Sequence, residues 1–142
     1  MWKSFMKTFV DAPKDYDQLE IYRKWLRDNN ISFQDNKEEG ILLFRYQGLC
    51  FMITVPENDR NWLSLVLPNV HELVVKEKRE YVLEVLNSIN QDRKCVKAIL
   101  VGNQVWLAIE MFIDSTPVID DFFERLLMIL IETRMILYSK MQ

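Results

Sequence analysis

The sequence is poor in the residues that interrupt regular structure, with only three glycines and four prolines among 142 residues. This composition excludes collagen-like, linker-rich and low-complexity proteins. The chain also has one histidine, His71, and two cysteines, Cys50 and Cys95. A zinc site or a disulfide scaffold needs more such residues, at spacings that are absent here. We therefore predict that both cysteines are unpaired and buried in apolar strands.

Long apolar runs are also missing. The longest, Leu126–Ile131, is far shorter than the roughly 20 residues that cross a membrane. The N-terminal residues do not have the pattern of a signal peptide, so we expect a cytoplasmic protein without a membrane span. The net charge of −3, from 18 basic and 21 acidic residues, argues against binding to nucleic acid.

The residues that are present indicate a globular protein, since 49% are apolar and 27% are charged. The length predicts a single domain over residues 1–142. Hydrophobic periodicity predicts helices and strands in the order α-ββββ-α-ββ-α. Because strands and helices do not alternate regularly, this order indicates an α+β fold with a mainly antiparallel sheet and flanking helices. The predicted elements are Asp15–Asn29 (helix), Ile31–Gln34, Ile41–Tyr46, Leu49–Val55 and Leu63–Leu67 (strands), Asn69 onward (helix), Val96–Val101 and Val105–Phe112 (strands) and Val118–Tyr138 (helix).

Three local patterns refine this prediction. Asp15 and Asn69 are each followed three residues later by Gln or Glu, a spacing typical of a helix N-terminus. The strand Leu49–Val55 is apolar at nearly every position, which favours a central strand or one covered on both faces. In the last strand the odd-numbered residues are all apolar, whereas the even-numbered residues include glutamate as well as Trp106 and Phe112. The side of the strand that carries the even-numbered residues is therefore expected to be only partly buried.

Candidate catalytic groups are few. His71 could activate a cysteine, but the prediction places it in the first turn of a helix, where the helix dipole disfavours a protonated imidazole. Asp114, Asp120 and Asp121 cluster at a helix start and are explained by capping and the helix dipole. We therefore predict no catalytic, cofactor-binding or metal-binding residues, and a protein that is not an enzyme.

Two apolar stripes exceed what a small core needs. Residues 1–12 form an amphipathic segment whose apolar side chains repeat at helical spacing, and the last helix is apolar over more than half of its circumference. Each stripe is either intramolecular core or an interface with a partner or a second copy. The residues that represent the two stripes are Trp2, Phe5, Met6, Phe9, Leu127 and Ile131.

The segment Leu86-Asn87-x-x-Asn90, followed by two strands that extend to Met111, is the most distinctive motif. Together with the strand GLCFMITV it resembles the bacterial YbjN-like sensory-transduction regulators, whose fold is similar to that of type III secretion chaperones. The resemblance implies an acidic α+β protein that forms a homodimer, binds another polypeptide and needs no cofactor. From the residues alone, Asn87 and Asn90 lie near a helix C-terminus, where asparagine turns the chain into the next strand.

These observations leave two functional hypotheses. The first is a non-enzymatic, protein-binding module that acts as a chaperone or a regulatory adaptor. The alternative is a small-ligand sensor or an unusual enzyme with a pocket between the sheet and the helices, where Glu110 and Asp114 would supply polarity.

Overall fold

A computed structural model of the chain describes residues 17–113 and 117–142. Within these residues, three helices pack on one six-stranded sheet, which confirms the α+β class and the order α-ββββ-α-ββ-α. The helices are α1 (Gln18–Asp28), α2 (Arg79–Asp92) and α3 (Phe123–Met141), the last preceded by a short 3₁₀ turn (Ile119–Asp121). The strands are β1 (Phe33–Asn36), β2 (Ile41–Tyr46), β3 (Leu49–Thr54), β4 (Trp62–Glu72), β5 (Lys97–Val101) and β6 (Gln104–Phe112). None of the described helices combines the length and apolar character needed to cross a membrane.

The strands lie in the order β1-β2-β3-β4-β6-β5, and every neighbouring pair is antiparallel. Strands β1 to β4 form a meander, and β5 and β6 form a separate hairpin. At the β2–β3 hairpin, Gln47 and Gly48 both adopt positive φ angles, +49° and +77°. Two consecutive residues in this region match a type I′ turn, whose twist suits the flanking strands.

The core lies between the sheet and the helices. Alternate residues of the strands point to this side, and the helices meet them with their apolar faces. The ring of Phe123 packs against Tyr22 and Trp25, with centroid distances of 5.1 and 4.8 Å. Each fully buried side chain of this size stabilises the fold by about 1.5–3 kcal/mol. The largest fully buried side chains are Tyr22, Phe51, Phe123, Leu26, Leu42, Ile53, Leu63, Leu65, Ile89, Leu107, Ile109 and Leu127.

The first helix begins later than predicted. Its N-cap is Asp17, whose side chain accepts a hydrogen bond from the backbone N–H of Leu19 at 3.0 Å. Asp15, the predicted cap, lies outside the described residues. The first strand is likewise shifted, to Phe33–Asn36.

The predicted start of the second helix at Asn69 is wrong. Strand β4 continues to Glu72, and α2 begins only at Arg79. The pairing of β4 with β6 is interrupted by a bulge between Leu67 and His71. Within this bulge Asn69 has a φ of +48°, which asparagine tolerates better than most residues. The bulge also accommodates Pro68, whose missing N–H would interrupt a regular central strand.

Cys50 and Cys95 are free, as predicted, but both are exposed, so the prediction that they are buried is wrong. Strand alternation places the neighbouring Phe51 in the core, so Cys50 points away from it. His71 lies on β4 rather than on a helix. Its Nε2 is 2.9 Å from both carboxylate oxygens of Glu77, which also accepts a hydrogen bond from the backbone N–H of Val74.

Candidate functional site

One face of the sheet carries the helices, and no described element covers the other. We call this second surface the open face. It is formed by every second residue of the strands, since successive side chains alternate between the two sides. The residues of the open face are Gln34, Asn36, Ile41, Leu43, Arg45, Cys50, Met52, Thr54, Trp62, Ser64, Val66, Pro68, Lys97, Ile99, Val101, Gln104, Trp106, Ala108, Glu110 and Phe112.

The centre of the open face is one apolar row that crosses four strands. Leu43 pairs with Met52, Met52 with Val66, and Val66 with Ala108. The row ends in polar side chains, Gln34 on β1 and Lys97 on β5. Val66 and Ala108 are buried although no described helix or loop covers them. Both of these side chains are small.

Aromatic side chains stand at both ends of this centre. At one end, Trp62 and Phe112 form an edge-on pair with a centroid distance of 4.9 Å, and Phe112 is 72% exposed. At the other end, Trp106 pairs with Ile99 across the strands, and its Nε1 donates a hydrogen bond to Gln104 Oε1 at 3.0 Å. Trp106 and Phe112 are six positions apart on β6, which corresponds to about 20 Å. The open face is thus long enough to hold a bound helix of three turns.

Charges on the open face lie at its rim. Lys97 Nζ is 2.7 Å from Glu110 Oε2, so Glu110 is engaged in an ion pair at the surface and does not line an interior pocket. Arg45 is exposed and has no ion pair with any residue that the structure describes. Asp114, the other carboxylate of the pocket hypothesis, lies outside the described residues.

The predicted interface residues fall into three groups. Leu127 is 0% exposed and belongs to the core of the protomer, so its side chain is not available at the surface. Ile131 is half-buried and packs against that core. The N-terminal residues Trp2, Phe5, Met6 and Phe9 lie outside the described part of the chain.

The two asparagines of the motif have different surroundings. The Asn90 side chain donates a hydrogen bond to the carbonyl of Ala98 at 3.1 Å and accepts one from its N–H at 2.7 Å. The Asn87 side chain is exposed and has no hydrogen bond to a described residue. The left-handed residue between α2 and β5 is Cys95, with a φ of +68°, and neither asparagine adopts that conformation.

Other chemistries find little support in the described residues. They include no group of three His, Cys, Asp or Glu side chains that could hold a metal ion. A cleft of about 540 Å³ opens at the end of the sheet, lined mainly by polar residues that include Asp17, Lys37 and Arg60.

Most of the open face is absent from the sequence-based interface prediction. Only Trp106, Glu110 and Phe112 stood out, through the alternation of the last strand. The remaining residues of the open face are indicated by strands in which consecutive positions are all apolar, as at Phe51, Met52 and Ile53. Such a strand needs apolar cover on both sides.

Comparison with known proteins adds no functional assignment. No family model matches the chain, and no curated protein is significantly similar to it.

Proposed function

We propose that the chain is a non-enzymatic, polypeptide-binding protein, a chaperone or a regulatory adaptor, that holds an apolar segment of another polypeptide on the open face. The observation that supports this proposal is the apolar row from Leu43 to Ala108, which no described element covers. A sheet that is apolar on both sides is commonly packed on both sides. An apolar face left uncovered is typical of a binding surface.

The residue types of the open face suit this role. Tryptophan and other large aromatic side chains supply much of the binding energy of protein interfaces, and Trp62, Trp106 and Phe112 all belong to this face. Burial of an exposed side chain such as Phe112 contributes up to about 3 kcal/mol. Small residues at the centre and aromatic residues at the ends provide room for an inserted apolar side chain.

The same geometry defines the partner's chemistry. Strands β2, β3, β4 and β6 each have a strand on both sides, so the partner is recognised by side chains and not by strand addition at the centre. Arg45 offers a guanidinium that no described carboxylate neutralises. We therefore propose a partner segment whose apolar side chains are accompanied by an acidic residue near the rim.

The test selects peptides from a random library on the full chain and measures their affinity by fluorescence anisotropy. Leu43→Glu and Phe112→Glu should each weaken binding at least tenfold, because the new carboxylate would be desolvated beneath the peptide. Met135→Glu is the matched control. Met135 is 63% exposed on α3, so the same charge is introduced at an exposed apolar position away from the open face.

The opposite pattern contradicts the proposal. If Met135→Glu abolishes binding and the two open-face variants retain it, the binding surface is α3. If no library peptide binds the folded chain, the proposal is wrong. Circular dichroism and urea unfolding of each variant establish that the fold is intact.

We also propose that the chain is a homodimer, as the resemblance to the YbjN-like family implies. Light scattering coupled to size-exclusion chromatography decides this question, because a dimer has twice the chain mass of 17.1 kDa. A monomer at every tested concentration would refute this part of the proposal without affecting the peptide-binding test.

A further inference from the structure

The two edge strands of the sheet differ in whether their outward-facing backbone groups are occupied. On β5, the Asn90 side chain bonds both polar groups of Ala98. On β1, the corresponding groups have no partner among the described residues. We propose that β1 pairs antiparallel with β1 of a second copy, about a two-fold axis at Gln34. This inference rests on the proposed homodimer, names its interface and leaves the open face free.

The hydrogen-bond pattern of the β2–β3 hairpin determines which groups of β1 point outward. The residues that flank its two-residue turn exchange both backbone hydrogen bonds, and bonded and non-bonded pairs alternate from there. Leu43 therefore directs its N–H and C=O toward β1, where it pairs with Gln34. The neighbours of Gln34, Phe33 and Asp35, direct their four backbone groups away from the sheet.

The usual protection of an edge strand is missing on β1. Natural sheets protect their edges with lysine, proline, bulges or inward-pointing charges. Strand β1 contains no lysine or proline, and its register with β2 is uninterrupted. Its one charged side chain, Asp35, lies 2.8 Å from the Arg23 guanidinium of the same chain. The charge that would repel an incoming strand is thus neutralised.

One antiparallel register suits two copies of this edge. With Gln34 opposite Gln34 of the second copy, Phe33 of each copy lies opposite Asp35 of the other, and four hydrogen bonds form. A register centred on Asp35 would place like charges directly opposite each other, which is destabilising. A register centred on Phe33 would need the N–H of Ile31, which already donates to the Leu26 carbonyl at 2.8 Å.

This pairing also joins the open faces of the two copies. Gln34 stands at the β1 end of the apolar row that runs from Leu43 to Ala108. A two-fold axis perpendicular to the sheet keeps the helices of both copies on one side and both open faces on the other. The paired sheet has twelve strands, six from each copy, and the two rows meet at the axis. A second copy therefore matches this edge in length, bond pattern and surface.

The size of the contact determines how stable the dimer is. Standard protein interfaces bury about 1,200–2,000 Å², and two paired strands of four residues bury less. We therefore expect a dimer that dissociates on dilution, so its mass has to be measured over a range of concentrations.

Cysteine cross-linking tests the register. In a chain with Cys50→Ser and Cys95→Ser, Gln34→Cys places two thiols across the axis at a Cα separation of about 4.5 Å, which a disulfide can bridge. Mild oxidation should then give a covalent dimer. Asn36→Cys is the matched control, because its two Cα atoms lie about 14 Å apart in this register. No cross-link at Gln34→Cys, or equal cross-linking of the two variants, would overturn the inference.

Charge complementation tests the same axis without a covalent bond. Gln34→Lys and Gln34→Glu should each raise the dissociation constant of the dimer about fivefold, because like charges then face each other. An equimolar mixture of the two variants should restore the wild-type value. Val101→Lys, at a 41% exposed position of the other edge strand, is the control and should change nothing. A mixture that dissociates as readily as either variant alone excludes an axis at Gln34.

Light scattering over a range of concentrations separates this inference from the homodimer proposal. A dimer that the Gln34 substitutions leave unchanged keeps the homodimer and overturns the β1 interface. A chain that is monomeric at every concentration overturns both. Neither result bears on the peptide-binding test, which compares Leu43→Glu and Phe112→Glu with Met135→Glu.

Discussion

The side-chain amide of Asn90 on α2 forms two hydrogen bonds with the backbone of Ala98 on β5, one to each of its polar groups. Strand β5 is one of the two edge strands of the sheet, and Ala98 presents both groups away from β6. Exposed groups of this kind are a template for pairing with another strand. Asn90 therefore occupies part of the edge as a neighbouring strand would.

We expect Asn90→Ala to lower the free energy of unfolding by about 1–3 kcal/mol, because the Ala98 groups lose their partners. The exposed edge should also increase self-association. Urea unfolding and light scattering measure the two effects. Asn87→Ala, from the same motif, is the control and should change neither; equal effects of the two substitutions would contradict this explanation.

A second prediction concerns Arg23 on α1, which is only 7% exposed. Its guanidinium donates two hydrogen bonds to the Asp35 carboxylate, at 2.8 and 3.2 Å, a third to Asp17 at 3.0 Å and a fourth to Glu20 at 3.3 Å. Asp35→Ala should destabilise the fold by about 2–3 kcal/mol, because it leaves a buried charge with fewer partners. Chemical unfolding measures this difference.

The control for Arg23 is an ion pair on the same helix. Lys24 and Asp28 are 2.6 Å apart and both are exposed, and an exposed pair contributes little. Asp28→Ala should leave the free energy of unfolding nearly unchanged. A comparable loss in both variants would show that the buried network has no special role.

A third prediction concerns acid stability. The hydrogen bond from the Val74 N–H, and next the contact with His71, hold the pKa of Glu77 below its ordinary value of 4.5. Because the pKa is lower in the folded state, the stabilisation is complete above the unfolded value and is lost as the pH falls through the folded value. Glu77→Gln should therefore reduce the loss of stability below about pH 4.5.

Unfolding measured in urea between pH 6 and pH 3 tests this prediction. Glu84→Gln, at an exposed position of α2, should follow the wild-type profile. If Glu77→Gln and wild type lose stability in parallel across this range, the Glu77 contacts do not contribute to acid sensitivity.

A fourth prediction concerns Cys95, whose φ of +68° is unfavourable for a residue with a Cβ atom. Glycine adopts this conformation without strain. Cys95 is exposed, so its replacement removes no core packing. Cys95→Gly should raise the melting temperature and stabilise the fold by up to about 1 kcal/mol, whereas Cys95→Ala should not, and equal effects of the two would disprove the strain.

The fold class could be predicted from local sequence because hydrophobic periodicity specifies each helix and strand separately. The boundary between β4 and α2 could not. Asn69 followed by Glu72 has the spacing of a helix N-terminus, but asparagine is equally suited to the left-handed residue of a bulge. Only the pairing of β4 with β6 decides between the two.

The open face could not be predicted from the sequence for a different reason. Leu43, Met52, Val66 and Ala108 come from four strands, and only the register of the sheet places them in one row. Local patterns show that a strand has two apolar sides, as Leu49–Val55 does. They do not show which side the helices leave uncovered.

Because of the strand order, binding to the open face and folding of the chain depend on each other. The meander β1 to β4 and the β5–β6 hairpin come from separate stretches of chain, joined in the sheet by the pairing of β4 with β6. Met52 and Val66 lie on one side of that seam, and Ala108 lies on the other. Any occupant that spans the seam binds only a chain whose two halves have already docked, and by mass action it shifts the folding equilibrium toward that state. The open face thereby links the abundance of its occupant to the proportion of chains that are completely folded.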